Sequence, residues 1–66
     1  MKRYYSILRP VGIGTFPKRA PVERIKNFDR RVYIQEIGRE AWGYIEYAEP
    51  LTEKEMRQYD LVEEKR

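Results

Sequence analysis

The 66-residue chain contains no cysteine and no histidine. Without cysteine there are no disulfides, the staple that small domains most often use. Without either residue the usual ligands of a zinc site are missing, as are the commonest catalytic bases and nucleophiles. No run approaches the ~20 apolar residues of a membrane-spanning helix. The opening residues, Met1-Lys2-Arg3-Tyr4-Tyr5-Ser6, lack the apolar stretch of a signal peptide. A soluble protein of the cytoplasm, with no membrane partner and no cofactor, is expected. Internal repeats and low-complexity tracts are absent too. A chain this short allows one domain, residues 1–66. A domain of that size buries only about 60% of the surface its unfolded chain exposes, so its core is marginal.

Aromatics and charge are what the chain has in quantity. Six Tyr, two Phe and one Trp bring large apolar area to a small core. They argue against the disorder that 38% charged residues would otherwise suggest. The charge is split along the chain. Residues 1–31 hold nine cations against Glu23 and Asp29, a net of +7. Residues 32–66 hold five cations against nine anions, a net of −4. Such a split focuses a field that steers an acidic partner, if it survives folding. The alternative is that the two halves interleave into an ordinary solvated surface.

Residues 4–9 read as a strand ended by Pro10. Pro10, Gly12, Gly14, Pro17 and Pro21 make residues 10–21 a loop or extended arm. Residues 22–28 alternate poorly and fit an edge strand or an irregular segment equally. Asn27 and Asp29 carry turn chemistry. The hairpin 32–47 is the clearest feature, with strands over 32–37 and 41–47 joined through Gly38. Beside Gly43, Trp42 is expected in the core. Thr52 and Glu55 form a capping box that starts a helix over about 52–59, with Leu51 and Met56 at the staple positions. A helix this short must dock on the sheet, through Met56 and Tyr59. Residues 59–62 suggest a short closing strand, and 63–66 a frayed tail. The expected fold class is α+β: a small antiparallel sheet of three to four strands with one short helix packed on it.

Few motifs carry chemistry. Gly12-Ile13-Gly14 lacks the third glycine of a dinucleotide fingerprint, since Pro17 stands there, and no Walker sequence exists. Glu36, Glu40, Glu46 and Glu49 could supply carboxylates. Cross-strand pairing with Arg39 or other cations accounts for them more simply. Nothing fills the roles that a reaction requires, so a non-enzymatic protein is expected. Cations interleaved with aromatics (Tyr4, Tyr5, Phe16, Lys18, Arg19, Arg30, Arg31) suit nucleic acid, though the same aromatics are needed for the core. The loop with Val11, Ile13 and Phe16 either tucks under the sheet or is held out for a partner. The residues assigned to partner binding are Phe16, Lys18, Arg19, Arg30, Arg31 and Arg39. An edge strand offers a route to a homodimer.

Taken together, several segments carry a wider resemblance. They are the residues from Tyr4 to Lys18, Asn27-Phe28-Asp29, Val32-Tyr33, Ala41 to Tyr47, Pro50 to Glu55, and Tyr59-Asp60-Leu61. Over roughly residues 4–62 the chain resembles short proteins of phages and Gram-positive mobile elements related to defence-against-restriction protein A. That name belongs to a phage head protein that shields injected DNA from restriction. The resemblance transfers no catalytic residue. It implies an accessory protein acting against host defence, and small counter-defence proteins, anti-CRISPR proteins among them, commonly act by binding. The expectation is therefore an inhibitor that binds a host protein, such as a defence nuclease complex. The alternative is a nucleic-acid-binding module that uses the basic N-terminal half.

Overall fold

The computed structural model describes residues 2–18 and 22–64. Its elements follow in the order β1 (Lys2–Ser6), β2 (Val22–Ile34), β3 (Arg39–Tyr47), α1 (Glu53–Tyr59) and β4 (Leu61–Glu63). The strands form one sheet in the order β2-β3-β1-β4, antiparallel throughout. This is the expected α+β class. The aromatic-rich strand β3 lies inside the sheet, where its backbone groups are paired on both sides: Tyr47 is opposite Lys2 of β1 and Val22 of β2.

Three boundaries depart from the sequence reading. The segments 22–28 and 32–37 do not form two strands around a turn; residues 22–34 form one strand carrying a large bulge. Asn27 pairs with Gly43 and Val32 with Ala41, so residues 28–31 lie opposite Trp42 alone. Asp29 takes a left-handed φ of 65°, and its N–H donates to Asn27 Oδ1 at 3.0 Å. Short polar side chains tolerate that backbone and bond to it, so the turn chemistry makes the strand loop outward without leaving the sheet. Residues 35–37, expected in a strand, form the hairpin turn. Gly38 N–H donates to Ile34 O at 2.9 Å, and Gly38 adopts a φ of 70°. β1 ends at Ser6, where the Ser6 hydroxyl donates to Arg9 O at 2.6 Å and bends the chain ahead of Pro10.

One face of the sheet is covered. Tyr4, Ile45 and Tyr47 pack there with Val11, Leu51 and Leu61, and with Phe16, Val22, Met56 and Tyr59 beside them. The loop thus tucks under the sheet, and α1 docks through the residues its spacing indicates. Buried Tyr hydroxyls fix both coverings: Leu51 N–H donates to Tyr4 Oη at 2.8 Å, and Tyr47 Oη donates to Pro17 O at 2.6 Å. Gly43 lets the loop and β2 approach β3. A Cβ at this position would collide with the Lys26 carbonyl oxygen and lie 2.8 Å from Val11 Cγ2. A second cluster gathers Tyr5, Ile34 and Ala41 with Ile7, Phe28, Val32, Ile37 and Tyr44. Trp42, expected in the core, is half-buried and belongs to neither cluster.

The helix starts as its sequence dictates. Thr52 Oγ1 accepts from Glu55 N–H at 3.1 Å, and Thr52 N–H donates to Glu55 Oε1 at 2.8 Å. Arg9 clamps the other end, donating to Tyr59 O at 3.2 Å and to Asp60 Oδ2 at 2.9 Å. The expected tail, 63–66, overlaps β4. Glu63 belongs to β4, and Glu64 N–H donates to Arg3 O at 2.8 Å. Residues 65 and 66, like 19–21, lie outside the described residues.

Gly43→Ala is expected to destabilise the domain by about 3 kcal/mol or more, because a backbone oxygen cannot yield as a flexible side chain would. Thr52→Ala is expected to cost about 1 kcal/mol through the lost cap. Urea unfolding followed by circular dichroism measures both.

Candidate interaction surface

The sheet face opposite α1 is built by alternation. Tyr4 and Ile45 point to the covered side, so Arg3 and Tyr5, with their partners Glu46 and Tyr44, point to the other. Arg24 and Lys26 are opposite Glu46 and Tyr44 and join this face from β2. Trp42 lies two residues before Tyr44 on β3, which puts it on the same side. Neither the 10–18 loop nor α1 adds a residue to the second cluster.

Arg3 organises this surface. Its Nε and Nη2 lie 2.7 and 2.5 Å from Glu46 Oε2. The Glu46 side chain is 7% exposed, so its charge depends on this partner. Arg24 Nε approaches the other carboxylate oxygen at 3.9 Å. Arg3 Nη1 also donates to Tyr5 Oη at 3.4 Å and sits 3.8 Å from Glu64 Oε2. Tyr5 Oη in turn donates to Glu64 Oε2 at 3.3 Å. The hydrogen bond to Tyr5, together with that to Glu46, holds the Arg3 guanidinium above its ordinary pKa. Burial pushes the Tyr5 phenol up, and Arg3 offsets part of that shift.

The guanidinium carbon of Arg3 lies 4.1 Å from the centroid of the Tyr44 ring. Tyr44 stands edge-to-face with Tyr5 at 5.9 Å and with Phe28 at 6.0 Å. Phe28, Trp42 and Tyr44 are half-buried, while Arg24 and Lys26 are exposed. The result is a set of aromatic rings held in place by the sheet and ringed by cations. This arrangement suits non-covalent recognition, in which rigid aromatics and arginine contribute most. Among the described residues, no group of three or more acidic side chains is placed to hold a metal ion. No described helix is long and apolar enough to cross a membrane.

The residues assigned to partner binding from sequence fall in different places. Phe16 is half-buried and packs on the covered core, away from the bare face. Lys18 is exposed beside Pro17, near the end of β3 marked by Tyr47. Arg19 lies outside the described residues. Arg30 and Arg31 are exposed on the β2 bulge, and Arg31 Nε lies 3.6 Å from Glu40 Oε1. Arg39 is exposed at the hairpin end, opposite Ile34. Arg30 and Arg31, on the bulge opposite Trp42, and Arg39 lie towards the hairpin end of β3, whereas Lys18 follows Pro17, which is held by Tyr47 from the other end of that strand. Sequence reasoning missed Arg3, Arg24, Lys26, Phe28 and Tyr44 as members of one surface. The Trp42/Tyr44/Glu46 alternation was the available signal, but the neighbours of β3 were not.

Arg3→Leu is expected to destabilise the domain by about 1–3 kcal/mol, because it strands the Glu46 carboxylate; the solvent access of Arg3 keeps the loss moderate. The double variant Arg3→Leu/Glu46→Leu is expected to recover most of that loss in the same urea titration. A second prediction concerns alkaline pH. Well below pH 10 the Tyr5 phenol is protonated whether the chain is folded or not, so its contribution is constant. As pH rises further the unfolded chain ionises first, and stability falls. Tyr5→Phe is expected to flatten the decline of Tm as pH rises above about 9.5.

A family model described as Defence against restriction A C-terminal matches residues 1–66. No curated protein and no solved structure matches the chain. Since the match spans every strand and the helix, the chain belongs to the Defence against restriction A C-terminal family.

Proposed function

We propose that this chain is a non-enzymatic binding protein of a phage or mobile element, which counters host defence by capturing a host protein in the host cytoplasm. The family description supports the counter-defence setting. The observation that carries the binding role is the bare sheet face, where Arg3 and Phe28 pack against Tyr44 and Trp42 lies on the same side of β3. Ordered β-structure keeps these side chains in place before a partner arrives, which lowers the entropy lost on association. Trp, Tyr and Arg are also the residues that dominate binding energy at protein interfaces. In this reading Arg30, Arg31 and Arg39 form the charged rim at the hairpin end. The target is a component of a restriction or CRISPR-type nuclease complex, and the chain is its inhibitor.

A second reading is direct binding of nucleic acid. It is favoured by one observation: Arg24, Lys26, Arg30 and Arg31 are all exposed on β2. Glu23 and Asp29 on the same strand, with Glu40 beside Arg31, reduce the field that nucleic acid would meet.

Capture from a bacterial host lysate, with and without nuclease, separates the two. A protein retained in stoichiometric amount after nuclease treatment is expected. Trp42→Ala is expected to weaken its capture at least about tenfold, with the circular dichroism spectrum unchanged. Loss of all retained material after nuclease would instead support the nucleic-acid reading. Binding to an oligonucleotide would then fall steeply with salt.

A further inference from the structure

The sheet ends in two edges of different character. β4 is three residues long, and the acidic side chains at its end are engaged: Glu63 lies 3.6 Å from Lys2, and Glu64 lies 3.8 Å from Arg3. β2 is thirteen residues long and, among the described residues, pairs only with β3. Its outer edge therefore presents unpaired N–H and C=O groups. Two irregularities divide that edge, one between Val22 and Arg24 and one between Asn27 and Val32. Between them residues 24–27 run in unbroken register with 46–43.

The side chains of this short stretch alternate in chemistry as well as direction. Arg24 and Lys26 point to the bare face, opposite Glu46 and Tyr44. Ile25 points to the other face, opposite buried Ile45, yet remains 49% exposed. Lys26 has no ion-pair partner among the described residues. Arg24 reaches only a carboxylate that Arg3 already holds much more closely. The edge thus offers positive charge, an apolar side chain and positive charge again, beside open backbone groups.

Charge selects the occupant. A second copy pairing antiparallel about Ile25 would set Arg24 against Lys26 of the other molecule, twice over. Like charges directly opposite are destabilising, so the edge resists its own kind. A strand with acidic residues at alternate positions turns both contacts favourable and lays its intervening apolar side chain against Ile25. We infer that the outer edge of β2, over residues 24–27, takes up a short extended segment of a protein partner with the pattern acidic–apolar–acidic. The bulge at 28–31 turns the edge away and keeps the paired stretch short. This surface is the edge of the sheet; it shares Arg24 and Lys26 with the bare face, but the inference does not depend on which partner occupies that face.

The test uses the full chain and a capped peptide of alternating Glu and Val, followed by ¹⁵N NMR. Saturable shifts centred on residues 24–27 and slowed amide exchange at that edge are expected. Lys26→Glu is expected to weaken binding at least about tenfold, whereas Lys54→Glu, the same charge change at an exposed helix position, is expected to leave it unchanged. A Glu-Pro peptide of equal charge, which lacks the N–H at every apolar position and so cannot complete the ladder, is expected not to bind. Equal binding of the Glu-Pro peptide, or of a Lys-Val peptide, would overturn the inference. So would shifts centred on Arg3 and Tyr44, no binding at about 5 mM peptide, or tighter binding of a DNA oligonucleotide that displaces the peptide.

Discussion

The missing side chain at residue 43 is the constraint from which the rest of the architecture follows. β3 is the strand on which three pieces of chain converge, and they meet at Gly43: the β2 backbone at Lys26 and Asn27, and Val11 from the loop. Asn27 Nδ2 then donates to Val11 O at 3.2 Å, tying the loop to β2 as well. Beyond this close approach, β2 passes Trp42 through an outward bulge and then resumes its pairing with β3. With the loop drawn in, one sheet face is closed. The other face is left to be finished by side chains alone.

A chain without cysteine or histidine has to close its small core by other means. Here tyrosines and arginines act as non-covalent staples across long sequence distances. Tyr4 and Tyr47 each bury a ring and use the hydroxyl to hold a backbone group of the covering segments, at Leu51 and Pro17. Their own rings meet edge-to-face at 5.9 Å. Arg9 binds the last carbonyl and the cap of α1, where a cation also complements the helix end. Arg3 performs the corresponding task on the bare face, holding Glu46, Tyr5 and Tyr44 together. Because that face owes its order to a charged and aromatic network, rigidity and recognition chemistry occupy the same residues.

Much of the fold was legible because it is local. The capping box needs only Thr52 and Glu55, and the staple only Leu51 and Met56. The hairpin could be read from two alternating runs around Gly38. Legibility failed where local chemistry had two structural uses. Asn27 and Asp29 favour a reversal of the chain, and the same left-handed backbone serves a bulge inside a continuous strand. Ile37 has the side chain of a strand residue, but the turn that ends at Gly38 claims it. The surface was less legible than the fold. Phe16 in its Pro/Gly-rich loop could serve as core cover or as a contact, and a marginal core takes any apolar cover it can recruit.

The sequence by itself determined the absence of disulfides, the start of the helix, the antiparallel hairpin and the family pattern spread along the chain. Each depends on composition or on residues within a few positions of one another. Tertiary structure decided which sheet face is covered, which strand forms the long open edge, and what the charges do. The segregation of +7 and −4 along the chain does not persist as two opposed faces: Arg3 from the basic half neutralises Glu46, 43 residues away, and Lys2 meets Glu63. Such pairings follow from strand register, and register is set by packing over the whole sheet rather than by any local preference.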